Sequence, residues 1–203
     1  MSQRSRPTPV IRLLAITDRV VAPEPAAQAR RLAARLGPRL AVLLRDRDLP
    51  APQRSALAHD LLGALAGTGA RLLISDDLAL ARSLGLGVQL SEGGPSLDQA
   101  RAALPGGWIG VSRHDAEGLR AASRADHATL SPVRSSPGKG EPLGWAAFAR
   151  ALPDALPVLA LGGLGPGDAE DAAAAGASGI AAIRAAWQEP AEDWAEALSA
   201  WRW

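Results

Sequence analysis

The chain has 203 residues, with 22 basic and 21 acidic side chains and a formal net charge of +1. That balance excludes a nucleic-acid binder or a polybasic membrane-surface protein, whose cations would outnumber its anions. The absence of cysteine excludes disulfides, thiolate metal sites and cysteine nucleophiles.

Eight short apolar runs, bounded by Gly, Pro or Asp, read as strands: 11–16, 40–44, 71–74, 87–90, 108–111, 127–130, 157–161 and 179–183. A helical pattern follows each. Pro25 and Ala26 open the first helix, where Ala29, Leu32, Ala33 and Leu36 share one face, and Gly37-Pro38 ends it. Residues 55–65 form the second. Ser96 caps a helix over 97–104. Another runs over 169–175, with Gly176 ending it. Pro190 opens the last, where Trp194, Leu198 and Trp201 fall on one face and, with Trp187, read as helix-to-barrel packing. Eight strand–helix units in this length imply a compact α/β fold, a (βα)8 barrel over residues 11–203. Residues 1–10 are expected to form a flexible N-terminus. Arg4 and Arg6 precede Thr8-Pro9 where a signal peptide would place its apolar core, and no apolar run approaches the ~20 residues of a membrane helix. A cytoplasmic protein without nucleic-acid or membrane partners is expected.

A barrel carries its chemistry just beyond the C-terminal strand ends. Those positions are nearly all polar or glycine. Gly162 and Gly163 after strand seven let the backbone approach an anion, and Ile183-Arg184 after strand eight complete a phosphate site. His114 beyond strand five suits proton transfer near neutral pH, against a surface histidine paired with Asp115. His59 reads as solvated and His127 as packing. Arg45 and Arg47 share one strand face and suit a carboxylate or pyrophosphate, with an Arg–Asp network to Asp76 as the alternative. Asp76 and Asp77 are candidates for Mg²⁺, with Glu92 as a second carboxylate. The loop over 131–144 carries the single lysine, Lys139, and is long enough to close over a ligand.

These pieces, taken in order, resemble the thiamine-phosphate synthase/TenI family. They include Leu14-Ala15-Ile16-Thr17-Asp18, Leu44-Arg45-Asp46-Arg47, Leu73-Ile74-Ser75-Asp76, Gly87-Val88-Gln89-Leu90, Ile109-Gly110-Val111-Ser112-Arg113-His114 and Leu161-Gly162-Gly163-Leu164. The resemblance implies a mouth that binds a small thiazole phosphate. It adds Ser75, Gln89, Ser112 and Lys139 to Arg45, Arg47 and Asp76 as substrate-binding positions. A homo-oligomer is compatible with it. Two activities occur in that family. The synthase joins a pyrimidine pyrophosphate to thiazole phosphate with Mg²⁺. The TenI branch is a thiazole tautomerase that needs no cofactor. The synthase pattern has Asn-Asp where this chain has Ser75-Asp76, and its second metal-binding aspartate falls near Gly94. Val88-Gln89-Leu90 and Arg45-Asp46-Arg47 are closer to the tautomerase pattern. The expectation is therefore a tautomerase using His114 as acid and base. A divergent Mg²⁺-dependent synthase, with Asp76 as a metal ligand, is the alternative. A non-catalytic phosphate-ligand binder on the same barrel is a further one.

Overall fold

The computed structural model describes residues 11–136, 138 and 140–201. The expected flexible N-terminus, residues 1–10, and Lys139 lie outside the described residues. Eight parallel strands close into a barrel in chain order: β1 Leu13–Ile16, β2 Leu40–Leu44, β3 Arg71–Ser75, β4 Gly87–Leu90, β5 Ile109–Arg113, β6 His127–Leu130, β7 Val158–Leu161 and β8 Gly179–Ala182. β8 pairs back onto β1, with Leu13 opposite Ile180. The (βα)8 expectation is met, and the strands at 40–44, 87–90 and 127–130 coincide with the reading. β5 starts one residue later and runs two further. Its ladder with β6 continues through Ser112 and Arg113, because backbone pairing does not depend on side-chain polarity there.

The surrounding helices are α1 Pro25–Leu36, α2 Ala51–Leu65, α3 Leu78–Leu84, α4 Leu97–Ala103, α5 Ala116–Ala121, α6 Gly144–Ala151, α7 Ala169–Ala174, α8 Arg184–Gln188 and α9 Ala191–Ala197. α2 begins four residues before the expected Ser55. Pro52 lies in its first turn, where a missing N–H costs nothing. Asp77, Ser96 and Asp115 accept from Leu80 N, Gln99 N and Gly118 N, so each satisfies a free donor at a helix start. Trp187, Trp194 and Trp201 pack on the barrel, and each indole N–H finds a carbonyl: Ile16 at 2.6 Å, Ala185 at 3.3 Å and Ala177 at 2.6 Å.

Alternation along each strand divides the apolar residues into two layers. Leu13, Leu40, Val42, Ile74, Val88, Ile109, Leu130 and Ile180 face the helices. Leu14, Ile16, Ala41, Leu43, Leu73, Leu159 and Ala181 fill the barrel axis. The axial filling is lopsided. β1, β2, β7 and β8 contribute aliphatic groups. β3 adds Leu73 and Ser75, β5 has Gly110 there, and β4 and β6 place Gln89, His127 and Thr129 at the buried axial positions of the same alternation. The runs look uniformly apolar in sequence because the helix-facing residues dominate them.

Candidate active site

At the C-terminal mouth, charged residues from adjacent strand ends meet. Thr17, one residue beyond β1, donates its hydroxyl to Asp46 Oδ2 and accepts from Arg45 N at 3.0 Å. Asp46 is only 7% exposed and also accepts from Arg19 N at 3.1 Å. It is thereby a fixed anchor between the first two loops. Arg45 pairs with Asp18 at 2.8 Å. Arg47 pairs with Asp76 at 2.5 Å. The Arg–Asp network is thus realised for Arg47, with Asp18 as an additional member. Together Asp18, Arg19, Val20, Arg45, Asp46, Arg47 and Asp48 line a cavity of about 440 Å³. Val20 is 94% exposed at its rim.

Asp76 is held from three sides. Oδ1 accepts from Ser91 N and Oδ2 from Ser91 Oγ, both at 2.8 Å, and Arg47 supplies the third contact. Its φ is +57°, a left-handed conformation unusual for a residue with a side chain. The neighbouring Asp77 caps α3 and pairs with Arg54 at 3.1 Å. Arg54, on α2, is buried and also donates to Ser75 O at 2.7 Å, which locks the end of β3. The Ser75 side chain is buried beneath the mouth.

On the other side of the mouth, His114 is exposed, and Asp115 caps α5 through Gly118 N. His114 Nδ1 lies 2.7 Å from Ser131 O. A carbonyl can only accept, so Nδ1 carries the proton and Nε2 presents a lone pair. His59 is exposed, as expected, with Nδ1 2.8 Å from Ser55 O. His127 is buried on the barrel axis, and burial together with Arg71 pushes its pKa down to about 3. It is neutral packing, but polar packing. Gln89 is 2% exposed, and its amide donates to Ser112 Oγ at 3.1 Å. Gln89 therefore lies beneath the surface of the mouth, in contact with Ser112.

Gly162 and Gly163 have φ of +112° and +66°. A side chain at either would strike the loop after β6. A Cβ at Gly162 would lie 2.8 Å from Pro132 Cα, and one at Gly163 would lie 2.5 Å from Ser135 O. The loop is tied to the same strand end by Val133 N to Leu161 O, Arg134 N to Gly162 O and an Arg134–Asp168 pair at 2.6 Å. Its base is therefore anchored, so a lid covering the whole of 131–144 is not what these contacts support. Ile183 precedes α8, whose first residue, Arg184, is exposed and forms no ion pair with any described residue.

A family model described as thiamine monophosphate synthase matches residues 13–186. The chain belongs to the thiamine monophosphate synthase family. It is 37% identical over 172 residues to a thiamine-phosphate synthase of Anaeromyxobacter dehalogenans, covering 80% of this chain and 75% of that one. It is 34% identical over 181 residues to one of Roseiflexus castenholzii, covering 84% and 78%. In fold it resembles thiamine phosphate pyrophosphorylase from Pyrococcus furiosus, with a TM-score of 0.83, 23% identity and coverage of 93% and 96%. The first two carry the synthase name, and none of the three distinguishes the TenI branch.

The synthase family implies Mg²⁺, and the residues at Asp76 do not fit it. Its carboxylate is already satisfied by Ser91 and neutralised by Arg47. Gly94 supplies no second carboxylate beside Asp76, and a Cβ there would sit 2.2 Å from Asp76 Oδ1. Glu92 is exposed on the intervening turn, and no cluster of three metal-ligating side chains forms among the described residues. Thr17, Asp18, Arg19, Asp46, Ser91 and Ser131 are among the site residues that sequence reasoning gave no role. Each follows a strand end, which is the one signal that could have found them.

Proposed function

We propose that this family member joins a pyrimidine pyrophosphate to a thiazole phosphate in thiamine biosynthesis. The observation that carries this reading is the mouth cavity lined by Arg19, Arg45 and Arg47. The named relatives support it. In the reaction a carbon–oxygen bond to pyrophosphate breaks and a bond from that carbon to the thiazole nitrogen forms. Negative charge grows on the departing oxygen. A guanidinium has five N–H donors, and Arg47 places one of its terminal nitrogens on Asp76. In this reading its remaining donors, with those of Arg45, hold the diphosphate and neutralise it as it leaves. The thiazole phosphate lies against Gly162, Gly163, Ile183 and Arg184.

The test is pyrophosphate release from the two substrates together, with and without Mg²⁺. Turnover is expected, and Arg47→Ala should lower it about 10²- to 10³-fold. Its melting temperature should change little. The Arg47 side chain is half exposed, and such pairs contribute ~1 kcal/mol or less. No release under either condition would remove the reading.

His114 favours a second reading, a thiazole tautomerase. Its Nε2 is the free base nitrogen. It would take a proton from the ring carbon and return it to the exocyclic carbon. Aromatisation of the carboxythiazole phosphate, followed by ultraviolet absorbance, identifies that reaction. Thermal stabilisation by thiazole phosphate with neither turnover would identify a binding protein instead.

A further inference from the structure

Three polar side chains on the barrel axis, His127 and Gln89 buried and Trp108 partly so, have no use in either reaction, and their hydrogen-bonding is forced. The chain starts at Trp108. Its indole N–H can only donate, and it lies 2.9 Å from His127 Nδ1. His127 Nδ1 must therefore accept. The ring is neutral, because burial and the nearby Arg71 hold its pKa far below neutrality. The single ring proton consequently sits on Nε2. Arg71 lies 4.5 Å over the Trp108 ring, which fixes the indole from its other side.

His127 Nε2 and Gln89 Oε1 are both buried, and neither has a hydrogen-bond partner among the described residues. They face the same small space. A Cβ at Gly110 would lie 2.0 Å from Gln89 Oε1 and 2.5 Å from His127 Nε2. A donor thus confronts an acceptor across a glycine. Whether they meet directly or through one water, the polarity is the same: the proton points from His127 to Gln89. That choice turns the Gln89 oxygen downward and its amide N–H upward. The amide donates to Ser112 Oγ at 3.1 Å. The Ser112 hydroxyl has no other hydrogen-bond partner among the described residues. Its own proton remains to be given away, and Ser112 stands half-buried at the C-terminal end of β5.

We propose that Trp108, His127 and Gln89 form a one-way hydrogen-bond chain that makes Ser112 a committed donor to the bound ligand. Ser112 then selects a hydrogen-bond acceptor: a phosphate or carboxylate oxygen, or an unprotonated ring nitrogen. Gln89 and His127 are positioning residues that act through Ser112. The proposal rests on the mouth being the ligand site, and it holds for either reaction.

Two measurements test it separately. The first needs no ligand. Nitrogen-15 spectra of the whole protein should show His127 as the neutral Nε2–H form from pH 5 to pH 8. Trp108→Phe should abolish that single form and move the Gln89 side-chain amide resonances. A charged or Nδ1–H His127 in the parent overturns the chain, as does a Gln89 amide unmoved in Trp108→Phe. The second measurement is the affinity for thiazole phosphate. Gln89→Leu should weaken it about three- to tenfold, but less than twofold in a Ser112→Ala background. Equal losses in both backgrounds would show that Gln89 acts independently of Ser112, against the proposal. If Gln89→Leu does not fold, Trp108→Phe is carried through the same cycle. A parent protein that binds no thiazole phosphate at millimolar concentration would remove the functional reading, while the spectra still decide the chain.

Discussion

His114→Ala is expected to slow any isomerisation of a carboxythiazole phosphate by about 10²- to 10⁴-fold, the range for removing a positioned acid–base group. The expectation follows from the geometry at Ser131. Its carbonyl holds Nδ1 at 2.7 Å, which fixes both the tautomer and the ring plane. The Nε2 lone pair is then presented without a rotational search. The loss should appear in turnover and leave the fold intact. His114 is exposed, and surface substitutions away from caps and cores usually change stability by less than ~0.5 kcal/mol. Glutamine should not restore the rate, because an amide does not take up a proton near neutral pH. Added imidazole should restore part of it. Absorbance assays on the folded variant check this, and an unchanged rate would remove His114 from the chemistry.

Stability is expected to fall steeply in mild acid because of His127. Its folded pKa is about 3, against 6.5 for the ordinary side chain. Burial is the larger cause and Arg71 the smaller. Below pH 6.5 the unfolded chain binds a proton that the folded barrel refuses. The contribution is thus complete above about pH 6.5 and is lost progressively as pH falls toward 3. The expected slope approaches ~1.4 kcal/mol per pH unit within that window. Between pH 6 and pH 4.5 that is a large share of a typical domain's stability of about 5–15 kcal/mol. Denaturant unfolding at several pH values measures it. His127→Gln keeps an acceptor for the Trp108 indole but has no titrating ring, so its profile should be flatter there. An equally steep profile in that variant would assign the slope to carboxylates.

The barrel was legible because each strand–helix unit ends in a physical signal: a cap at Ser96, a proline at Pro25, a glycine at Gly176. The strand ends also pointed to the mouth, since polar residues cluster there against an apolar background. What remained hidden depends on pairs distant in sequence. Arg54 looks like a helix-surface residue, yet α2 lays it against Asp77 and the end of β3. Gln89 sits at a strand end like the ligand-facing positions. Only the register with Gly110 and Ser112 shows it to be beneath them. Arg47 read equally well as a ligand holder or a network member, and the placement of Asp76 decides that it is paired. Alternation separates two faces of a strand, but it does not say which one lines the axis.

The left-handed backbone at Asp76 sets conformational ease against charge. A glycine there would relieve ~1 kcal/mol or more of conformational cost, and asparagine would tolerate the bend comparably. Neither would offer an anion to Arg47. Aspartate in this bend exchanges backbone ease for a guanidinium held at the rim of the mouth.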